Sequence, residues 1–292
     1  MMSNTQTKPL LQVENLSIGF SQYFKGTQKR VIHPIANLHV DIDEGEIVAV
    51  VGASGSGKSL LAHAVLGILP GNASCNGSIL YKGEELTQKR KEQLRGREIS
   101  FIPQSINYLD PLMRVGRQVQ IGLDQKTAQA KQEKLFAQYD LKKSDGRLLP
   151  FELSGGMLRR VLFATSVREG VKLVIADEPT PGIHPQALSE ILQQLKQFAK
   201  DGAGVMLITH DIMSALEVAD RVAVIKDGTT VEISEATAFE GKGERLKTEY
   251  TRRLWRALPQ NDFDLEFKEK EGDHVSNWGE SGSLLSERSL DF

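Results

Sequence analysis

Eight consecutive residues, 52–59, have the composition and spacing of a loop that binds phosphate. They read Gly-Ala-Ser-Gly-Ser-Gly-Lys-Ser, a complete GxxxxGK[ST] pattern. Glycines let the backbone of such a loop form a concave nest whose N–H groups point at phosphate oxygens. Lys58 is then placed to reach the β- and γ-phosphates, and the Ser59 hydroxyl is placed to bind Mg²⁺. The pattern predicts binding of a nucleoside triphosphate.

The sequence around this loop provides the setting that the pattern requires. An apolar run typical of a buried strand precedes it at residues 46–51, and residues 60–66 have the composition of a helix. A helix that starts at the loop adds the partial positive charge of its N-terminus to the phosphate site. The residues assigned to phosphate binding are Gly52, Ala53, Ser54, Gly55, Ser56, Gly57, Lys58, Ser59 and Leu60.

Two adjacent carboxylates, Asp177 and Glu178, follow the apolar run at residues 173–176. An acidic pair after a strand is common by chance. In the same sheet as a phosphate loop, however, it favours catalysis, with Asp177 holding Mg²⁺ and Glu178 polarising water as a general base. The sequence therefore predicts hydrolysis of the bound nucleotide.

A second surface that can face phosphate lies at residues 153–157, which read Leu-Ser-Gly-Gly-Met before a helical stretch. One nucleotide needs one such surface on its own chain, so Ser154, Gly155 and Gly156 make sense if they close over ATP held by another subunit. An ordinary capped helix is the alternative interpretation. Here the sequence resembles the ATP-binding cassette (ABC) family, whose signature is LSGGQ.

The resemblance to the ABC family covers residues 10 to about 235 and implies roles for further side chains. It implies that Gln104, in Phe-Ile-Pro-Gln, contacts Mg²⁺ and the attacking water, and that His210 contacts the γ-phosphate. It also implies an aromatic residue that stacks on adenine. Phe20 is our choice, with Tyr23 and Phe24 as alternatives and with core packing as the rival role for Phe20.

The elements that must position these residues fit an α/β fold. Continuous apolar runs at 173–176 and 205–209, with a helical pattern between them, predict a buried parallel sheet. The resemblance implies a P-loop NTPase of the ABC type, with a mostly parallel core sheet, an antiparallel β subdomain and an inserted helical subdomain. We expect the ATPase domain at 10–240, the helical subdomain at about 86–168, a C-terminal extension at 241–259 and a disordered tail at 260–292.

Two segments are similar to the oligopeptide, dipeptide and nickel import branch of the family. Residues 150–157 read Pro-Phe-Glu-Leu-Ser-Gly-Gly-Met, and residues 250–259 are similar to the branch's C-terminal extension. Leu246, Tyr250 and Leu254 are predicted to share one helical face that docks on the cassette, a solvated basic helix being the alternative. His184 stands where the family usually has an aspartate that couples two ATP sites. Cys75 is the single cysteine, so no iron–sulfur cluster is expected.

Composition limits the partners of the chain. It has 292 residues with a net charge of −2, so no global basic field points to nucleic acid. It has no apolar run near the roughly 18 residues that a membrane-spanning helix needs. The resemblance implies the ATPase subunit of an importer for peptides or for nickel and other metal chelates, bound peripherally to the cytoplasmic face of the membrane. The implied partners are a second cassette (more often a different chain), two transmembrane permease subunits and an extracytoplasmic binding protein. A subunit of a soluble enzyme complex, of the carbon–phosphorus lyase type, is the alternative.

Overall fold

The computed structural model describes residues 8–24, 28–166, 168, 170–179 and 185–261. Ten strands in this part of the chain form one sheet, in the order β5-β4-β1-β2-β10-β9-β3-β8-β7-β6. The strands are β1 (Leu11–Phe24), β2 (Gln28–Ile42), β3 (Ile47–Gly52), β4 (Ala73–Tyr81), β5 (Glu84–Glu85), β6 (Ile99–Ile102), β7 (Leu173–Asp177), β8 (Gly204–Thr209), β9 (Arg221–Lys226) and β10 (Thr229–Glu235).

The strands β9, β3, β8, β7 and β6 are parallel to one another and form the core of the sheet. Every residue of β3, β7 and β8 is buried, which explains why these segments are continuously apolar rather than alternating. Since all five strands run in one direction, their carboxyl ends meet at one edge. Ile102 of β6 lies opposite Ala176, and Asp177 lies opposite Ile208.

The other half of the sheet is antiparallel and consists of β1, β2, β4 and β5. It joins the parallel half through β2 and β10, with Thr229 opposite Asn37. The Thr230 hydroxyl strengthens this junction because it donates to the carbonyl of His39 at 2.7 Å.

Eight α-helices flank the sheet in the described part of the chain. They are α1 (Lys58–Leu66), α2 (Gln88–Leu94), α3 (Val115–Gln120), α4 (Ala128–Gln138), α5 (Gly155–Ser166), α6 (Pro185–Lys200), α7 (Ile212–Leu216) and α8 (Glu249–Arg256). Alternate residues of each core strand face opposite sides: Val174 belongs to a core with helices α3 to α8, whereas Ile175 belongs to a core with α1 and the antiparallel strands. None of the helices described here is long and apolar enough to cross a lipid bilayer.

The stretch 86–168, predicted as a helical subdomain, also contains strand β6. The short apolar segment Ile-Ser-Phe-Ile pairs with β7 and forms the end of the parallel sheet. Helices α3, α4 and α5 follow it. The division of the chain into domains, with the helical subdomain beginning at about 86, stays a prediction.

The C-terminal extension packs against the cassette through α8. Trp255 is 6% exposed, and its ring meets that of Phe239 edge-on at a centroid distance of 5.8 Å. Leu246 is buried as well, but α8 begins only after the N-cap Thr248, so placing Leu246 on the helix with Tyr250 and Leu254 was wrong. The predicted disordered tail lies outside the described residues from 262 onward. Gln260 and Asn261 end the described chain in the 3-10 turn Pro259–Asn261.

Candidate active site

The phosphate loop connects the end of β3 to the start of α1. Its last glycine, Gly57, is the N-cap of α1 and has a left-handed φ of 97°, a conformation that glycine adopts without steric cost. The first glycine of the loop, Gly52, is required for a steric reason. A Cβ on Gly52 would lie 2.2 Å from the carbonyl oxygen of Ile225 on β9. Only glycine fits where β3 turns into the loop.

Lys58 lies inside the loop and is 6% exposed. Its ammonium group donates to the carbonyls of Gly52 at 2.8 Å and Ala53 at 3.1 Å. Burial lowers the pKa of Lys58, and the nearby carboxylates of Glu178 and Asp177 oppose that shift. The result is a cation held at the centre of the loop, where the charge of a triphosphate requires one.

Ser59 and Asp177 form a pair at the mouth of the loop. The Ser59 hydroxyl donates to the Asp177 carboxylate at 3.1 Å. Burial raises the pKa of Asp177, and the hydrogen bond from Ser59 acts in the opposite direction. A hydroxyl and a carboxylate oxygen at this distance are the hard donors that Mg²⁺ prefers. The buried Ser56 hydroxyl, which has no hydrogen-bond partner among the described residues, adds a polar group to the same loop. The residues present fit a magnesium–phosphate site.

Glu178 and His210 are in direct contact. His210 Nδ1 donates to the Glu178 carboxylate at 2.7 Å, with Glu178 buried and His210 largely exposed. The carboxyl-edge topology explains the contact, because Glu178 follows β7 and His210 follows the adjacent β8. The predicted general base is therefore held by a side chain that also faces solvent.

Gln104 follows β6 and Pro103 at the same edge, and it is exposed. Its main-chain carbonyl accepts a hydrogen bond from Arg159 of α5 at 3.2 Å. The structure thus brings Gln104 to the edge that carries Asp177 and Glu178. Its contact with Mg²⁺ and water stays a prediction.

Ser154, Gly155 and Gly156 lie on the open surface where α5 begins. The Ser154 hydroxyl accepts from the Met157 N–H at 3.3 Å, which is the capping geometry that the alternative interpretation expected. A Cβ on Gly155 or Gly156 would meet no atom of the described residues within 4 Å. Packing against the described part of the chain therefore does not require these glycines, and their role toward a partner's nucleotide stays a prediction.

The adenine-stacking role of Phe20 stays a prediction. Phe20 is half-buried and packs against the core shared by the two halves of the sheet. Tyr23 is 78% exposed, and the side chain of Phe24 lies outside what the structure describes, as does the whole of His184.

Arg159 is the residue at this site that sequence reasoning missed. It lies in a pair of arginines just after the signature, and the sequence carries no signal that separates it from its neighbour Arg160. Its role follows from the three-dimensional packing of α5 beside the segment after β6.

The fold and the site define a P-loop nucleotide-binding protein, and comparison with known proteins gives its family. Residues 35–181 match the profile described as ABC transporter. The chain belongs to this family. It is also similar to a solved structure, the dimeric post-hydrolysis state of the ATP-binding cassette MJ0796 bound to ADP and Pi. That similarity has a TM-score of 0.66 at 23% identity, over 77% of this chain and 98% of that one, and confirms the predicted fold class.

Three of the relatives that the chain is similar to are named as transport ATP-binding proteins. The peptidoglycan transport ATP-binding protein YejF of Agrobacterium fabrum is 33% identical over 99% of this chain and 55% of its own length. The oligopeptide transport ATP-binding protein OppD of Bacillus subtilis is 34% identical over 76% of this chain and 65% of its own length. OppD of Lactococcus lactis subsp. cremoris is 33% identical over 87% of this chain and 77% of its own length. The chain thus spans 55% and 65% of the length of the first two relatives.

Proposed function

We propose that this chain hydrolyses ATP as the cassette subunit of an importer for peptides. The observation that carries the proposal is the arrangement at the carboxyl edge of the sheet. There the phosphate-loop lysine, the Ser59–Asp177 pair and the Glu178–His210 pair lie at the ends of three adjacent strands. Phosphate binding, metal binding and water activation are thus supported at one edge.

The side chains divide the work of hydrolysis among them. The loop N–H groups and Lys58 bind the β- and γ-phosphates. Glu178 accepts a proton as the water oxygen attacks the γ-phosphorus, and the bond to the bridging oxygen breaks to leave ADP and phosphate. His210 orients the Glu178 carboxylate through the 2.7 Å hydrogen bond. Ser59 and Asp177, with Gln104, would hold Mg²⁺, which supplies charge neutralisation on the phosphates when bound.

The partners follow from the exposed signature and from the relatives. Two cassettes would pair head to tail, so that residues 154–156 of each chain close over ATP bound by the other. This chain would lie on the cytoplasmic face of the membrane, with two permease subunits and an extracytoplasmic binding protein. The names of the two OppD relatives favour peptides as cargo over nickel or metal chelates. They do not favour a subunit of a soluble enzyme complex.

Replacing Glu178 with glutamine tests the catalytic proposal. Glu178→Gln keeps the size and most hydrogen bonds of the side chain but removes the base, so turnover of ATP should fall at least about a hundredfold while ATP binding persists. Steady-state phosphate release and equilibrium binding of ATP measure the two effects separately. Glu217→Gln, at an exposed position after α7, is the matched control and should change neither. Unchanged turnover in Glu178→Gln would show that this carboxylate is not the base.

A further inference from the structure

The side chain of Arg159 connects helix α5 to the segment that follows β6 at the carboxyl edge of the sheet. The helix begins at Gly155 in the signature, and Arg159 lies about one turn further on. Its guanidinium donates to the main-chain carbonyl of Gln104 at 3.2 Å. One end of a rigid helix is therefore exposed for a partner, and its next turn holds the segment that carries a predicted active-site glutamine.

The segment around Gln104 is short and well ordered by its own contacts. Ser105 caps the 3-10 turn Ile106–Tyr108 through a bond from the Asn107 N–H at 3.1 Å. Phe101 and Tyr108 meet edge-on at a centroid distance of 6.4 Å. Because of these contacts, a displacement of the Gln104 carbonyl moves residues 101–108 together.

Arg159 has the charge and the position to transmit such a displacement from α5. Burial of its side chain lowers its pKa, yet a guanidinium stays protonated at neutral pH. A hydrogen bond from a charged donor in a half-buried place is stronger than one between neutral groups. Contact with a carbonyl fixes the peptide plane after Gln104 and hence the direction in which the Gln104 side chain leaves the backbone.

We propose that Arg159 is a positioning residue that couples the signature end of α5 to Gln104. When a partner's nucleotide engages residues 154–156, movement of α5 reaches the Gln104 backbone through Arg159 and sets the glutamine at its own chain's site. Occupation of one site thereby adjusts the other. The inference rests on the proposed function, since it assumes that Gln104 serves hydrolysis and that two cassettes pair.

The neighbouring arginine provides a matched control. Arg160 has the same charge on the same helix, but it bonds to Asp140 and Glu190, both at 3.1 Å, on the exposed side of α5. Arg159→Met and Arg160→Met each remove one guanidinium and keep an unbranched apolar stem. Only the first variant breaks the contact with Gln104.

Steady-state hydrolysis by the full chain, assembled with its partners, tests the coupling. Arg159→Met should lower kcat roughly tenfold, the effect of one charge-assisted hydrogen bond, with KM for ATP unchanged and with reduced cooperativity in ATP. Arg159→Lys, which keeps a charged donor, should recover part of kcat. Arg160→Met should resemble the wild type. Equal losses in the two methionine variants, or none in Arg159→Met, would overturn the proposal.

Amide hydrogen exchange separates this inference from the proposed hydrolysis. In the protein without nucleotide, Arg159→Met should speed exchange at the amides of Tyr108 and Leu109, which belong to the turn that follows Gln104. Arg160→Met should leave that turn unchanged. Unchanged exchange in Arg159→Met overturns the positioning role whatever the activity. The proposed function can also fail by itself. If Arg159→Met speeds exchange but the wild type has no ATP turnover that Glu178→Gln abolishes, the proposed function is wrong and the Arg159–Gln104 contact is supported.

Discussion

At the scale of single residues, Glu178 combines an unusual backbone conformation with a proposed catalytic role. Its φ is 44°, in the left-handed region that non-glycine residues avoid, and its N–H donates to the Ile208 carbonyl at 2.8 Å. Such strain persists where the surrounding structure determines the conformation, and it is concentrated at functional sites. Here the buried strands β7 and β8 impose it, and the imposed turn directs the carboxylate toward His210.

The steric requirement at Gly52 gives a prediction at the same scale. Gly52→Ala would place a methyl group 2.2 Å from the Ile225 carbonyl, so β3 and the phosphate loop must separate from β9. We expect a loss of stability of about 3 kcal/mol and loss of ATP binding, measured by thermal unfolding and by fluorescent-nucleotide titration. Gly71→Ala is the control, because a Cβ there meets no atom within 4 Å among the residues that the structure describes. Similar behaviour of the two variants would contradict the close packing of β3 on β9.

At the scale of elements, one buried carboxylate attaches the C-terminal extension to the sheet. Glu232 of β10 accepts hydrogen bonds from the Lys247 and Thr248 N–H groups at 2.7 and 2.8 Å and from the hydroxyls of Ser234 and Thr248. Burial acts to raise the pKa of Glu232, but these four bonds outweigh it and lower the pKa to about 2. The start of α8 therefore depends on an ionised side chain.

This attachment predicts that the difference in stability between the wild type and a variant without the Glu232 carboxylate depends on pH. Since the pKa of Glu232 is lower in the folded than in the unfolded chain, its stabilisation is fully present above an unfolded pKa of about 4.3. It is lost as pH falls from there toward about 2. Glu232→Gln should lower the free energy of unfolding by about 2 kcal/mol at pH 7, and the difference should shrink below about pH 4.5. Denaturant titrations across pH measure it. A difference that stays constant to pH 3 would rule out the ionised carboxylate as its source.

Sequence patterns predicted long or strongly marked elements and missed short ones. The strand before the phosphate loop and the helix at 185–200 were predictable because a continuous apolar run and a helical period each extend over enough residues. Strand β6 was not, because its four residues are outnumbered by helix-forming neighbours and are identified only by pairing with β7. Likewise, the pattern predicted that Leu246 would be buried. It did not predict that helix α8 would begin after Leu246, at the N-cap Thr248.

At the scale of the whole molecule, the sequence indicated the candidate site residues but not the contacts between them. The sequence predicted that Glu178 and His210 each follow a strand of the core sheet. Their direct hydrogen bond also requires β7 and β8 to be neighbours, which is a property of the strand order. The contact of Arg159 with Gln104 also depends on packing between segments 55 residues apart. Local spacing carries no information about either.

The importer proposal predicts what should accompany the whole chain. Tagged protein purified in mild detergent from native membranes should bring with it two multi-span proteins, a second cassette and an extracytoplasmic binding protein, identified by mass spectrometry. The proposed role of residues 154–156 requires a second cassette, and the proposed importer requires the other three proteins. Tagged Glu178→Gln chain should retain the same partners, since the change lies at the reacting edge. Recovery of soluble enzyme subunits alone would favour the non-transport alternative.

The bonds of Lys58 to its own loop have a consequence for how tightly substrate is held. Two of the three N–H groups of the ammonium already donate to the Gly52 and Ala53 carbonyls. One is left for a phosphate oxygen, and any further phosphate contact must replace a bond within the loop. The contact then contributes less affinity than an ammonium free in the loop would supply. The loop thus holds its lysine in place before a nucleotide arrives.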